Sequence, residues 1–144
     1  MAGVFIFFSN TCVIFIKQRV TLIKYINGTD MCGIIGITSQ SPCVIQDLIR
    51  GVQELEYRGY DSVGVAYTHN GQLENIKSMQ DASHLKKLLP SEARSKSGIG
   101  HTRWATHEEP KLSNAHPFVY QGEVAIVHNG IIDNHHELRD ELMT

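Results

Sequence analysis

Apolar positions along the chain change period several times, and each change marks an element. Residues 33–39 (GIIGITS) form an apolar run of strand length. Ser41 and Pro42 then supply an N-cap followed by proline at the first helical position. Val44, Ile45, Leu48, Ile49, Val52 and Leu55 recur at helical spacing, which predicts a helix burying one face, with Gly59 as its stop. Residues 62–68 (SVGVAYT) read as a strand, residues 69–72 (HNGQ) as a hairpin turn, and Ile76 falls in the returning strand. Asp81-Ala82-Ser83 caps a short helix through Leu89, which Pro90 ends. Residues 91–97 (SEARSKS) form a polar linker. Two further strands are expected at 98–103 and 123–128, joined by a polar, proline-containing loop at 107–118. Asn134 precedes an amphipathic helix ending near Met143.

Strands and helices alternate without a steady βαβ rhythm, and no GxGxxG follows a strand, which disfavours a doubly wound nucleotide-binding fold. The hairpins instead predict an α+β fold, largely antiparallel sheet covered by helices.

The opening stretch stands apart. Residues 1–16 are apolar but broken by Ser9-Asn10-Thr11, and they lack the basic start and small-residue cleavage site of a signal peptide. They also fall short of the ~20 apolar residues that span a bilayer, so a membrane partner is not expected. Lys17, Arg19 and Lys24 against Asp30 give residues 1–31 a charge of +2, leaving −4 for the remainder of a chain whose net charge is −2. This contrast predicts two parts: an N-terminal extension at 1–31, either a removed propeptide or translated upstream sequence, and a domain from 32 onward.

Apolar residues at 42% and charged residues at 19% are ordinary for a globular chain of 144 residues. No basic patch interleaved with aromatics occurs, so nucleic acid is not an expected partner. Cys12, Cys32 and Cys43 form no CxxC spacing, and the odd count fits a reducing, cytoplasmic setting. Eight histidines raise the question of a metal. There is no HExxH, and His135 and His136 should point to different helix faces, so no metal is expected.

Four short motifs carry chemistry. In Met31-Cys32-Gly33, trimming of the methionine would leave a residue with both a thiol and a free α-amine. The amine's ordinary pKa of ~7.7–8.0 suits it to take the thiol proton. Taken alone, a buried cysteine at a strand start explains the same residues. Tyr57-Arg58-Gly59-Tyr60-Asp61-Ser62 fits a capped, salt-bridged turn. In His101-Thr102-Arg103-Trp104-Ala105-Thr106-His107, an arginine at a strand end beside tryptophan suits clamping of a carboxylate, or simple stacking. In His128-Asn129-Gly130, an asparagine N–H and a glycine backbone N–H can serve one developing oxyanion, or form a plain Asn-Gly turn.

The four motifs, MCGIIG, LEYRGYDS, HTRWATH with NAHP, and HNGII, stand in an order and approximate spacing that resembles the glucosamine-6-phosphate synthase (glutamine–fructose-6-phosphate aminotransferase) family. The resemblance covers essentially all of 31–144. It implies the N-terminal portion of a type 2 glutamine amidotransferase domain with a four-layer αββα N-terminal-nucleophile fold, incomplete at its C-terminus. It also implies that Cys32 attacks the side-chain amide of L-glutamine while Asn129 and Gly130 stabilise the oxyanion. Arg103 would hold the glutamine carboxylate, Thr106 and His107 would line the pocket, Trp104 would gate it, and Arg58 would support the nucleophile's surroundings. Ammonia would pass to an isomerase domain that aminates fructose 6-phosphate, in a homo-oligomeric full-length protein without metal or organic cofactor. The alternative is a catalytically incompetent fragment, at most a glutamine-binding or subunit-interaction module. The chain departs from the family pattern at Glu108, where the pattern has glycine.

Overall fold

The computed structural model describes residues 3–7, 11–15, 32–42, 44–105, 109–130 and 132–144. Two antiparallel sheets form the frame. The larger is built from β1 (Gly3–Phe7), β3 (Gly33–Thr38), β4 (Ser62–His69), β5 (Gln72–Ser78) and β6 (Ser97–Arg103), in the order β1-β3-β6-β4-β5. The smaller holds β2 (Thr11–Phe15), β7 (Phe118–Tyr120) and β8 (Val124–Asn129), in the order β2-β8-β7. Among the described residues three α-helices complete the fold: α1 (Val44–Glu54), α2 (Ala82–Leu88) and α3 (His135–Leu142).

The 3.6-residue stripe foreseen for α1 is the one that packs. Val44, Ile45, Leu48, Ile49 and Val52 are all buried. They meet Ile35, Ile37, Val63, Val65 and Tyr67 from the large sheet, with Ala82 and Leu85 of α2 closing the cluster. Leu55, expected in the same helix, is also buried but lies just past it, before a 3-10 turn at Glu56–Arg58. Helix α2 begins where the polar triplet predicted: Asp81 accepts a hydrogen bond from the His84 backbone N–H at 2.8 Å.

Because side chains alternate along a strand, the large sheet has a second face. Ile34, Ala66 and Ile99 point there and pack against Ala125 and Val127 of β8. The observed layers are thus helices, large sheet and small sheet, and the fold is α+β with antiparallel sheets. Helix α3, expected to be amphipathic, buries none of its residues, so among the described residues no helix covers the outer side of the small sheet.

Two expectations differ from what is found. The loop foreseen at 107–118 ends in a strand, β7, joined to β8 by a tight turn with positive φ at Gln121 (52°) and Gly122 (70°). His135 and His136 do not diverge; their ring centroids lie 4.0 Å apart at the start of α3. Residues 1–31 supply two strands. β1 pairs with β3 (Phe7 opposite Ile34), and β2 pairs with β8 (Thr11 opposite Asn129). The two strands that receive this pairing are those next to Cys32 and bearing Asn129.

The packing of α1 has a measurable consequence. Leu48 is fully buried between helix and sheet, so Leu48→Ala is expected to cost about 2–5 kcal/mol of stability. Denaturant unfolding measures this, and a loss below about 1 kcal/mol would contradict a helix that seals the sheet.

Candidate active site

The site gathers where β3 begins and where β6 and β8 end. Cys32 sits one residue before β3, half-buried. Its register is fixed twice. Gly33 pairs with Thr102 in the ladder, and the Gly33 N–H donates to the Thr102 hydroxyl at 3.0 Å. That hydroxyl donates in turn to the Leu55 carbonyl at 3.1 Å, tying the strand to the end of the α1 segment. The Trp104 backbone N–H donates to Cys32 Sγ at 3.1 Å, which holds the sulfur over the end of β6.

The YRGYDS segment organises this β6 end. The Asp61 N–H donates to the Arg103 carbonyl at 3.0 Å, and the Asp61 carboxylate accepts the Ala105 N–H. Gly59 is needed because the chains almost touch there: a Cβ on it would lie 2.6 Å from the Arg103 carbonyl carbon. Tyr60, largely exposed, meets the Trp104 indole edge-on at 4.9 Å between centroids. Arg58 is buried at the end of the 3-10 turn, with its guanidinium carbon 5.8 Å from the Tyr57 ring centre.

Asn129 closes the site from the small sheet. It is fully buried, and its Nδ2 donates to the Cys32 carbonyl at 2.5 Å. The next residue, Gly130, has φ of +129°, a conformation that disfavours any side chain. Arg103 faces the same space between the sheets. Among the described residues its Nη1 is buried without a hydrogen-bond partner, as is the hydroxyl of Ser62, which lies opposite it in the ladder.

Of the residues named from sequence, Cys32, Trp104, Asn129, Gly130 and Arg103 therefore come together, and Arg58 lies in the turn that supports them. Thr106 and His107, with Glu108, lie outside the described residues. Three contributors escaped notice: Asp61 and Thr102 as backbone anchors, and His101. The last is fully buried, with Nε2 at 2.9 Å from Asn129 Oδ1 and 3.2 Å from the His128 carbonyl. Its signal was the period-two alternation that places His101 and Arg103 on the face of Ile99. Among the described residues no three His, Cys, Asp or Glu side chains are grouped to hold a metal ion. Nor is any described helix long and apolar enough to cross a membrane.

No protein-family model matches the chain. Individual relatives do. It is 49% identical over 113 residues to the glutamine–fructose-6-phosphate aminotransferase (isomerizing) of Shewanella oneidensis. The identity is 51% over 114 residues to that of Bartonella quintana, and 49% over 113 residues to that of Bradyrhizobium diazoefficiens. Each match takes in 78% of this chain and 18% of the relative. Over the matched stretch, the chain is similar to glutamine–fructose-6-phosphate aminotransferases (isomerizing) at about half of its positions. It spans less than a fifth of the length of these enzymes.

The site is also electrostatically unusual. Burial lowers the pKa of His101 from 6.5 to about 4, although hydrogen bonds to Asn129 and His128 act the other way. His116, whose ring lies 4.3 Å from that of His101, is lowered by burial and by neighbouring His101, His128, Lys77 and Arg103 to about 2. Both rings stay neutral in the folded chain at pH values where an unfolded histidine is charged. Unfolding therefore takes up protons once the pH drops below 6.5, and acidification from there to pH 4 removes stability. At pH 5 these two residues should contribute about two protons, and His116→Gln should remove about one of them. Unfolding free energies measured at several pH values give the uptake; identical pH slopes for both proteins would contradict the buried pair.

Proposed function

We propose that residues 32–144 form the front of a type 2 glutaminase domain of the four-layer αββα, N-terminal-nucleophile kind. In this reading Cys32 attacks L-glutamine and supplies ammonia for the conversion of fructose 6-phosphate to glucosamine 6-phosphate by a longer, homo-oligomeric protein. The observation that carries the reading is that a held Cys32 thiol and the Asn129 carboxamide meet at the head of β3, next to the β6 end bearing Arg103, whose buried Nη1 lacks a partner among the described residues. The acceptor chemistry is that in the relatives' name, glutamine–fructose-6-phosphate aminotransferase (isomerizing).

Glutamine's α-carboxylate pairs with Arg103, whose Nη1 otherwise lacks a partner among the described residues. Trp104 and Tyr60 form an aromatic rim over the site. The Cys32 thiolate adds to the side-chain carbonyl carbon, and the carbonyl electron pair moves to oxygen. Asn129 Nδ2 spends one N–H on the Cys32 carbonyl, so its second N–H and the Gly130 backbone N–H serve the oxyanion. The Cys32 α-amine takes the thiol proton and passes it to the departing nitrogen, which leaves as ammonia. Water then cleaves the thioester, returning glutamate and the thiol. No metal or cofactor enters these steps.

The amine must be free for this. With residues 1–31 attached, the Cys32 nitrogen is an amide and cannot act as a base. Processing at the Met31–Cys32 bond is thus part of the reading, and it also removes β1 and β2 from the strands flanking the site. The competing reading, a non-catalytic glutamine-binding or subunit-interaction module, retains that bond.

Intact-mass measurement of the native protein, combined with a glutaminase assay, separates the two. The expected outcome is a species beginning at Cys32 that hydrolyses glutamine, with loss of at least about 10³-fold in Cys32→Ala. A native protein retaining residues 1–31 and releasing glutamate at the same rate with or without the thiol would overturn it.

A further inference from the structure

The orientation of an asparagine carboxamide is a choice between two ends, and here the surroundings fix it. The Cys32 carbonyl can only accept, so the end of Asn129 at 2.5 Å from it must be the NH2 group. The opposite end is then the oxygen, which needs a donor. That donor is His101 Nε2 at 2.9 Å, a nitrogen that also faces the His128 carbonyl at 3.2 Å. With two acceptors in front of it, Nε2 must carry the imidazole proton, and Nδ1 is left as a lone pair. His101 Nδ1 is indeed buried without a hydrogen-bond partner among the described residues.

The ring itself cannot turn away. His101 is fully buried in β6, opposite Gly64 of β4. His116 stacks on it at 4.3 Å with 35° between planes, and is backed by Phe118 at 4.5 Å. The His116 carbonyl presses so close to β4 that a Cβ on Gly64 would lie 2.1 Å from it. Arg103 is the charged side chain next to His101 on its own strand face, and His128 approaches from β8.

We propose that His101 is a positioning residue: its Nε2–H holds the Asn129 oxygen away from Cys32, and so keeps the Asn129 N–H group aimed at the reacting carbon's oxygen. The flipped carboxamide would place an oxygen against the Cys32 carbonyl and a repulsive lone pair where negative charge develops. His116 acts as the backing that keeps the His101 ring in plane. The kinetic part of this proposal rests on the glutaminase reading above; the orientation itself does not.

The test has two arms. In the full chain with 15N-labelled histidine and asparagine, long-range 1H–15N spectra are expected to show His101 as the Nε2–H tautomer near neutral pH. The Asn129 carboxamide resonances should move in His101→Leu and remain near their original positions in His101→Gln, whose amide nitrogen reaches a similar place. An Nδ1–H tautomer, or Asn129 signals indifferent to either change, would overturn the proposal whether or not glutamine is hydrolysed. Should His101→Leu not fold, the tautomer and the glutamine variant decide the matter. In the form that hydrolyses glutamine, His101→Leu should lower kcat by ~10–100-fold with KM changed less than ~3-fold, less than the ~10²–10³-fold expected for removing an oxyanion donor outright. His101→Gln should restore most of that loss. Equal losses in both variants, or an effect on KM alone, would contradict positioning. Absence of any Cys32-dependent hydrolysis in the wild type would sink the glutaminase reading while leaving the spectral arm to judge His101.

Discussion

The Asn129 carboxamide joins the two sheets by polar contact. On one side it donates to the Cys32 carbonyl, at the head of β3, and on the other it accepts from His101, on β6 of the same large sheet. Beside it the layers meet through apolar contacts, Ala125 and Val127 against Ile34, Ala66 and Ile99, and His101 Nε2 also faces the His128 carbonyl of β8 at 3.2 Å. Apolar packing fixes distance and leaves sliding inexpensive, because aliphatic surfaces have no directional preference. A buried amide with acceptor and donor on opposite sides does have direction, and leaving either end unsatisfied costs roughly 1–3 kcal/mol. The relative placement of thiol and amide therefore depends on this one side chain more than on any apolar contact around it.

The rest of the site is held by backbone. β6 lies between β3 and β4, so a single strand end receives Cys32 from one neighbour and the Asp61 turn from the other. Gly59 and Asp61 serve the same purpose by different means. The glycine permits close approach, and the aspartate accepts the Ala105 N–H while its own N–H holds the Arg103 carbonyl. An arginine whose backbone is pinned in this way needs little rearrangement to meet a carboxylate.

Much of this was legible before any coordinates. The α1 stripe, the 69–72 hairpin and the Asp81 cap follow from local rules, since each depends on residues within a few positions of one another. The four motifs pointed to one candidate site because their residue types suit one reaction in combination, although each alone fits a simple structural role. What escaped reading was non-local. β7 is three residues long, too short for an alternation signal, and its turn uses Gln121-Gly122 rather than the Asn-Gly pair that marks hairpins most clearly. Asp61 resembled a salt-bridging partner for Arg58, yet its carboxylate meets a backbone N–H forty-four residues away. His101 was recognised as part of a motif, but its role emerges only when β8 is laid across β6.

Residues 1–31 present the remaining tension. Their charge and broken hydropathy set them apart from the domain, yet β1 and β2 pair with β3 and β8, the strands on which the site depends. A nucleophile that needs its own amine cannot keep that extension. The central claim, that Cys32 is the reactive group of a glutamine site, is tested most directly by mass-spectrometric mapping after treatment with a glutamine analogue bearing an electrophilic ketone in place of the amide. The account predicts modification of Cys32 alone in chains beginning at that residue, with protection by L-glutamine. Equal labelling of Cys43, or labelling of Cys32 that glutamine does not slow, would contradict it.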